Sequence, residues 1–249
     1  MKLQQDLLSL QEWAYTWGMK FNASKCYILR VSRMRSPKAF NYQITGQSLK
    51  KVEKNLGVIW QSDMRWSAHV GKTTQRANTI LAFLRRNLSH CPAHLKVIAY
   101  KSLVRSGLEY ASAVWDPHLQ DEIKKLEAVQ RRAARFVCSD YGRQSSVTRM
   151  LERLEWDSLQ TRRRTIRLTL FGKVLRGEVA VPTEDILYIN RSNTRAGARG
   201  HYQHIRANTE TYKQSFFPRT LKDWNELPIN CTSATSADAF KQGLALLDP

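Results

Sequence analysis

The chain has 249 residues, enough for one or two domains with a real core. Hydrophobic residues make up 42% of it, which excludes a wholly disordered chain, and 40 Lys and Arg against 21 Asp and Glu leave a formal charge of +19. Such an excess points to a polyanionic partner, most often nucleic acid and less often a membrane surface, with a merely solubilising surface as the bland alternative.

The opening residues are not those of a secretory signal, because the Gln, Asp and Glu of "LQQDLLSLQEW" interrupt any apolar core. No apolar run approaches the roughly 18 residues of a membrane span, so no membrane partner is expected. Cys26, Cys91, Cys138 and Cys231 are scattered without a CxxC pair and read as reduced thiols of a nuclear or cytoplasmic protein.

Leu3, Leu7, Leu10, Ala14 and Trp17 recur at helical steps and predict one amphipathic helix, which Gly18 is placed to end. "CYILRV" (Cys26 to Val31), "NYQIT" (Asn41 to Thr45) and "NLGVIW" (Asn55 to Trp60) predict three strands, the last bulged or closely approached at Gly57. From about Ser67 to Leu88, Val70, Ala77, Ile80, Leu81 and Leu84 fit one helical face. Pro92 suits the first turn of a second helix carrying Leu95, Ile98, Ala99, Leu103 and Tyr110, broken at Asp116-Pro117.

A third helix carries Ile123, Leu126, Ala133 and Val137, and Ser146 and Ser158 are N-cap candidates for two more. After Gly177 the pattern fades. "RSNTRAGARG" (Arg191 to Gly200) reads as a basic loop, "SFFPRTLKDWNELP" (Ser215 to Pro228) as an ordered aromatic packing segment, and Ala237 to Leu247 as a closing helix.

Lys72 and Arg76, and likewise Lys101 and Arg105, are four residues apart and share a helix face, spaced to grip phosphates about a turn apart. Arg131, Arg132 and Arg135 cluster on the third helix, and Arg162, Arg163, Arg164 and Arg167 on a later one. Between Arg131 and Arg167 there are ten arginines, no lysine and four acids. The planar guanidinium fork matches phosphate oxygens, so this segment leans towards phosphodiester binding. Solvated helix faces would also account for it, and at least one arginine near the Leu159–Ile166–Leu170 face is placed to lay its stem over the core. His90, Cys91 and His94 lack a second pair at metal-ligand spacing, so no metal site is expected.

The order of these features resembles the C-terminal part of reverse transcriptases from non-LTR (LINE-type, jockey-like) retrotransposons. "LQEWAYTWGMKFNASKC" is similar to the helix, turn and lysine of the family's fourth palm motif. "NLGVIWQSDMRWSAHV" is similar to its primer-grip element, with Leu56, Gly57, Val58, Trp66 and His69 in the matching places, and with Asn55 and Met64 where tyrosine and leucine are usual. "LVRSGLEYASAVWDP", "KLEAVQRRAARFV" and "SFFPRTLKDWNELP" resemble later segments of such reading frames.

The resemblance implies an α+β N-terminal palm remnant over residues 1–66, a mainly α-helical thumb-like domain over 67–180, and a loop-rich basic C-terminal region over 181–249. It implies that Lys25 matches a palm lysine acting as general acid towards the pyrophosphate leaving group, although an exposed lysine at a strand's start reads the same way. Such polymerases hold two Mg²⁺ ions on aspartates. The chain contains no Asp-Asp pair, so no cofactor of its own is expected, Mg²⁺ being implied only for the complete polymerase.

What the resemblance leaves is binding of a template–primer duplex of RNA and DNA through Lys72, Arg76, Lys101, Arg105, Arg131, Arg132, Arg135, Arg162 and Arg164. The alternatives are a host-retained, non-catalytic RNA- or DNA-binding protein, and a scaffold whose bare apolar faces meet the missing palm and fingers or another protein. Coding sequence for the aspartates upstream of Met1 would separate the first reading from the others.

Overall fold

The computed structural model describes residues 2–32, 34, 36, 40–52, 54–189 and 201–247. The basic loop expected at 191–200 lies outside the described residues. The chain divides into two compact units, Met1–His69 and Val70–Pro249. It is mainly helical, and among the described residues the few very short strands all lie in the first unit.

The N-terminal unit begins with α1 (Lys2–Thr16). Gly18 ends it as expected: at φ +66° it donates to the Tyr15 carbonyl at 3.1 Å while Met19 donates to Ala14 at 2.8 Å, the Schellman pattern that closes orphan carbonyls. Of the α1 stripe only Ala14 is fully buried, and Leu3, Leu10 and Trp17 stay largely exposed. The helix meets the small sheet through Gln4, whose side chain accepts from the Gln43 N–H and donates to the Gln43 carbonyl, each at 3.0 Å.

The strands form three two-residue ladders. β1 (Tyr27–Ile28) runs parallel to β4 (Lys50–Lys51), β2 (Gln43–Ile44) antiparallel to β3 (Gln47–Ser48), and β5 (Lys54–Asn55) antiparallel to β6 (Val58–Ile59). Two expected strands are therefore cut by turns. Thr45-Gly46 and Leu56-Gly57 all have positive φ, the requirement of two-residue type I′ hairpins. Alternating β-formers gave no sign of this, because the deciding feature is a glycine at the second turn position. Gly57 is thus a hairpin residue rather than a bulge within a strand.

The C-terminal unit is built on α2 (Ser67–Asn87) from Val70 onward, α3 (Ala93–Ala99), α4 (Ser106–Glu109), α5 (Ser112–Trp115), α6 (Gln120–Cys138), α7 (Val147–Arg153) and α8 (Leu159–Leu175). The Ser146 and Ser158 side chains cap α7 and α8 by accepting from the Arg149 and Thr161 N–H groups. A π-helical turn, Tyr100–Arg105, joins α3 to α4.

That turn corrects the expected face of the second helix. The buried positions are Lys96, Tyr100, Val104 and Leu108, whereas Leu95, Ile98, Leu103 and Tyr110 are exposed. Steps of four drift around a regular α-helix, and the wider π turn absorbs the drift so that all four meet the core. The helix also ends earlier than Asp116-Pro117, at Glu109, with Ala111 left-handed at φ +51° before α5. In the core, Tyr100 stacks on Trp156 with centroids 4.4 Å apart and donates to the Gln130 side chain at 3.0 Å. Gln130 in turn donates to the Asp157 carbonyl at 2.8 Å, so this buried polar chain is satisfied.

Beyond Gly177 the described residues include α9 (Glu210–Lys213), α10 (Phe216–Asn225), α11 (Ile229–Thr232) and α12 (Ala237–Ala245). Pro218 lies within the first turn of α10, where its missing N–H has no intrahelical partner to lose. Leu221, Trp224, Leu227, Cys231, Phe240 and Leu244 pack against Leu168 and Phe171 of α8. Trp224 stacks on Phe240 at 5.2 Å and meets Phe171 edge-on at 5.1 Å, while Asn225 bonds both the N–H and the carbonyl of Tyr202. Gly172 makes room for this: a Cβ there would lie 3.5 Å from the Trp224 ring and 3.2 Å from Arg176.

Candidate nucleic-acid interface

The arginine-rich stretch divides into side chains that hold the fold and side chains that face outward. Arg163 and Arg167, both on the inner face of α8, are only 1% and 2% exposed. Arg163 Nε donates to Asp116 Oδ1 at 2.9 Å, and Arg167 bridges Asp116 to Asp223 of α10. Arg219 closes the group, donating to the Asp116 carbonyl at 3.1 Å and lying 3.3 Å from its carboxylate. Burial and the neighbouring Arg219 pull the Arg167 guanidinium below its ordinary value, against Asp116 and Asp223. These two arginines are therefore not available to phosphates, contrary to the expectation for the whole segment. Asp116, which looked like a helix breaker, is the hub of the ion cluster.

Arg162 is half-buried and paired to Glu109 of α4, with a second bond at 3.1 Å; the hydrogen bond to Glu109 raises it above its ordinary value. Arg105 lies in the same cluster and is lowered by burial and by the Arg162 charge. Arg164 Nε is 3.8 Å from Asp223. Arg135 donates to the Gly142 carbonyl at 3.2 Å. Lys72, Arg76, Lys101, Arg131 and Arg132 are exposed. Arg132 donates to Asn78 of α2 at 3.0 Å, which brings the outward arginines of α6 alongside the α2 turn that follows Arg76.

Three further basic residues escaped the sequence reading. Arg85 and Arg86 on α2 and Lys96 on α3 line a cleft of about 520 Å³ that reaches Phe136 and Tyr141. Their signal was weak, since two adjacent arginines in a helix carry no spacing rule and Lys96 lies off the apolar face that periodicity predicts for its helix, where a lysine reads as solvated.

In the N-terminal unit, Lys25 is the last residue of a one-turn 3₁₀ helix, Ala23–Lys25, and is exposed. Asn22 caps that turn, its side chain accepting from the Ser24 N–H at 3.1 Å and hydroxyl at 2.6 Å. Leu56, 83% exposed, and Gly57 form the tip of the β5–β6 hairpin, and Val58 is buried beneath it.

Trp60 and Trp66 meet edge-on at 5.3 Å, and the buried His69 accepts the Ile59 N–H on Nδ1 at 3.2 Å, binding the hairpin to the chain that follows it. Burial holds His69 below its ordinary value of 6.5. The unfolded chain therefore takes up the proton more readily. The stabilisation is complete above that ordinary value and is lost as pH falls through the lowered folded value. Acidification from about pH 7 to about pH 5 should ease unfolding of this unit. His69→Gln should abolish that part of the pH dependence in amide exchange of Val58 and Ile59, and identical profiles in the two proteins would refute it.

Among the described residues, no three His, Cys, Asp or Glu side chains converge as a metal site requires. Asp116 and Asp223, which share Arg167 between them, are both committed to that guanidinium, so they do not fit a pair of Mg²⁺ ions. Among the described residues, no helix is long and apolar enough to cross a membrane.

No family model matches the chain, and no solved structure does. Among curated proteins it is similar to the probable RNA-directed DNA polymerase from transposon X-element of Drosophila melanogaster, at 24% identity over 159 residues, covering 60% of this chain and 17% of that protein. It is also similar to the RNA-directed DNA polymerase from the mobile element jockey of Drosophila melanogaster, at 24% identity over 143 residues, 54% of this chain and 15% of that protein. The matches thus span about a sixth of the length of these relatives. With the motif order read from the sequence, they make the chain a distant homologue of the RNA-directed DNA polymerases of non-LTR retrotransposons.

Proposed function

We propose that the chain grips the phosphate backbone of a template–primer duplex of RNA and DNA, as the palm-end and thumb-like part of a non-LTR retrotransposon reverse transcriptase, and does not polymerise alone. The observation that supports this most is the outward cations of two adjacent helices, Lys72 and Arg76 on α2 and Arg131 and Arg132 on α6. Lys101 extends the set. Arg105, Arg135, Arg162 and Arg164, already engaged by Glu109, Gly142 or Asp223 or lying in their field, are assigned a supporting place behind it. A hybrid duplex is A-like, and proteins hold such duplexes by shape and backbone rather than by base sequence. Binding is therefore weakly sequence-selective, and the site of action is nuclear or cytoplasmic.

Catalysis belongs to the complete polymerase. Lys25 becomes a general acid only where metal-bearing carboxylates position a primer 3′-hydroxyl and a nucleotide, and the Leu56-Gly57 hairpin tip is the primer-grip element of that assembly. The test is a salt titration with an RNA–DNA hybrid. For ~4–6 neutralised phosphates, log K falls with log[salt] at a slope of roughly −3 to −5. Replacing Lys72, Arg76, Arg131 and Arg132 with Gln lowers the magnitude of that slope by roughly 3 to 4. A wild-type slope near zero removes the proposal.

A further inference from the structure

A second basic feature is concave rather than flat. The cleft bounded by α2, α3 and the end of α6 is lined by Arg85, Arg86, Ser89, Lys96, Ser139 and Tyr141, with no carboxylate in its lining. Lys96 is 3% exposed, and its ammonium donates to Ser139 Oγ at 2.7 Å and lies 5.4 Å from the centroid of the Phe136 ring. Among the described residues this buried ammonium is held by one hydroxyl and one aromatic face and by no carboxylate, which leaves it a cation without a counterion there. Arg85 sits over Tyr141 at 5.1 Å, so the charge at the rim is oriented rather than free to sweep. Tyr141 is half-exposed.

We propose that this cleft is a phosphate site sized for one nucleotide, in which Lys96, Arg85 and Arg86 take the phosphate oxygens and Tyr141 offers a stacking surface to the attached base. At about 520 Å³ it falls within the usual range for small-molecule sites. Guanidinium forks and an ammonium are the donors that nucleotide phosphates select, and base stacking on an aromatic tolerates any base. The nucleotide is either free or part of a single strand. A continuous duplex does not fit, because its bases are stacked on one another. The site uses none of the residues proposed to grip the duplex, and it stands or falls separately from that reading.

The test uses the full chain and three probes: a 5′-phosphorylated oligothymidylate of about four nucleotides, the same oligonucleotide with a 5′-hydroxyl, and thymidine monophosphate. In calorimetric titrations the phosphorylated oligonucleotide binds the wild type more tightly than its 5′-hydroxyl counterpart. Lys96→Met and Arg85→Gln/Arg86→Gln each weaken it about ten-fold or more. Displacement by the monophosphate at similar concentration assigns the site to free nucleotides, and displacement only at large excess assigns it to strand ends.

Should Lys96→Met fail to fold, the double variant of the two exposed arginines decides alone. Wild-type affinity for the phosphorylated probe in a folded Arg85→Gln/Arg86→Gln protein overturns the inference. The hybrid-duplex salt slope, measured on the same variant, stays at the wild-type value in either case, which separates this failure from that of the duplex reading.

Discussion

Asp116→Asn should cost about 3–5 kcal/mol of stability, the usual penalty for breaking a buried ion pair from one side. Asparagine keeps the shape and can still accept a hydrogen bond. It cannot offset Arg163 and Arg167, which are almost completely buried, nor Arg219 beside them. Among the described residues both terminal nitrogens of Arg163 already lack a hydrogen-bond partner, so the cluster has little slack. Burial disfavours the Arg167 cation, and after the substitution Asp223 alone would oppose that penalty.

Urea unfolding would show the effect as a lower midpoint at unchanged m-value, and a loss below about 1 kcal/mol would contradict it. The apolar replacement Asp116→Leu/Arg163→Met/Arg167→Met should recover most of the loss, because it removes the buried charges together. Glu109→Gln, which breaks the more exposed Arg162 pair, should cost about 1 kcal/mol or less.

Trp224→Ala is the second large effect, about 3–5 kcal/mol, as for other buried Trp and Phe truncations. The indole is the hinge of the aromatic group Phe171–Trp224–Phe240, so its loss leaves a cavity that neither α8 nor α12 can fill. Residues 216–244 owe their docking to this cluster and to the Arg167–Asp223 pair. Amide exchange should therefore rise first in α10 to α12, while the Tyr100–Gln130–Trp156 core of the same unit stays protected longest. Stability within about 1 kcal/mol of the wild type would show that α10 to α12 dock by other means. The variant should also leave the hybrid-binding salt slope intact at temperatures where it remains folded, since Lys72, Arg76, Arg131 and Arg132 lie on other helices.

Both predictions come from one division of labour. Arginine is suited to phosphate and to buried carboxylate for the same reason, a planar fork that stays charged when desolvated. Composition alone therefore counts Arg163 and Arg167 with the nucleic-acid candidates. Only their neighbours decide otherwise. Asp116 and Asp223 lie 47 to 56 residues away from them along the chain, so no local window brings the partners together.

Local rules carried the helices well. The α2 and α6 stripes, the serine caps of α7 and α8 and the glycine stop of α1 are decided by residues within a turn of one another, and the structure repeats them. The order of five motifs along the chain was enough to reach the non-LTR reverse transcriptases, and the similarity to two Drosophila polymerases agrees with it. The tertiary structure decided the rest. A π turn chose Lys96, Tyr100, Val104 and Leu108 over the more apolar Leu95, Ile98 and Leu103, because burial follows the geometry of the packed face rather than hydrophobicity alone. Side chains distant in sequence separated the arginines that hold the fold from those left facing solvent, since a counterion acts through space and leaves no periodic trace in the chain.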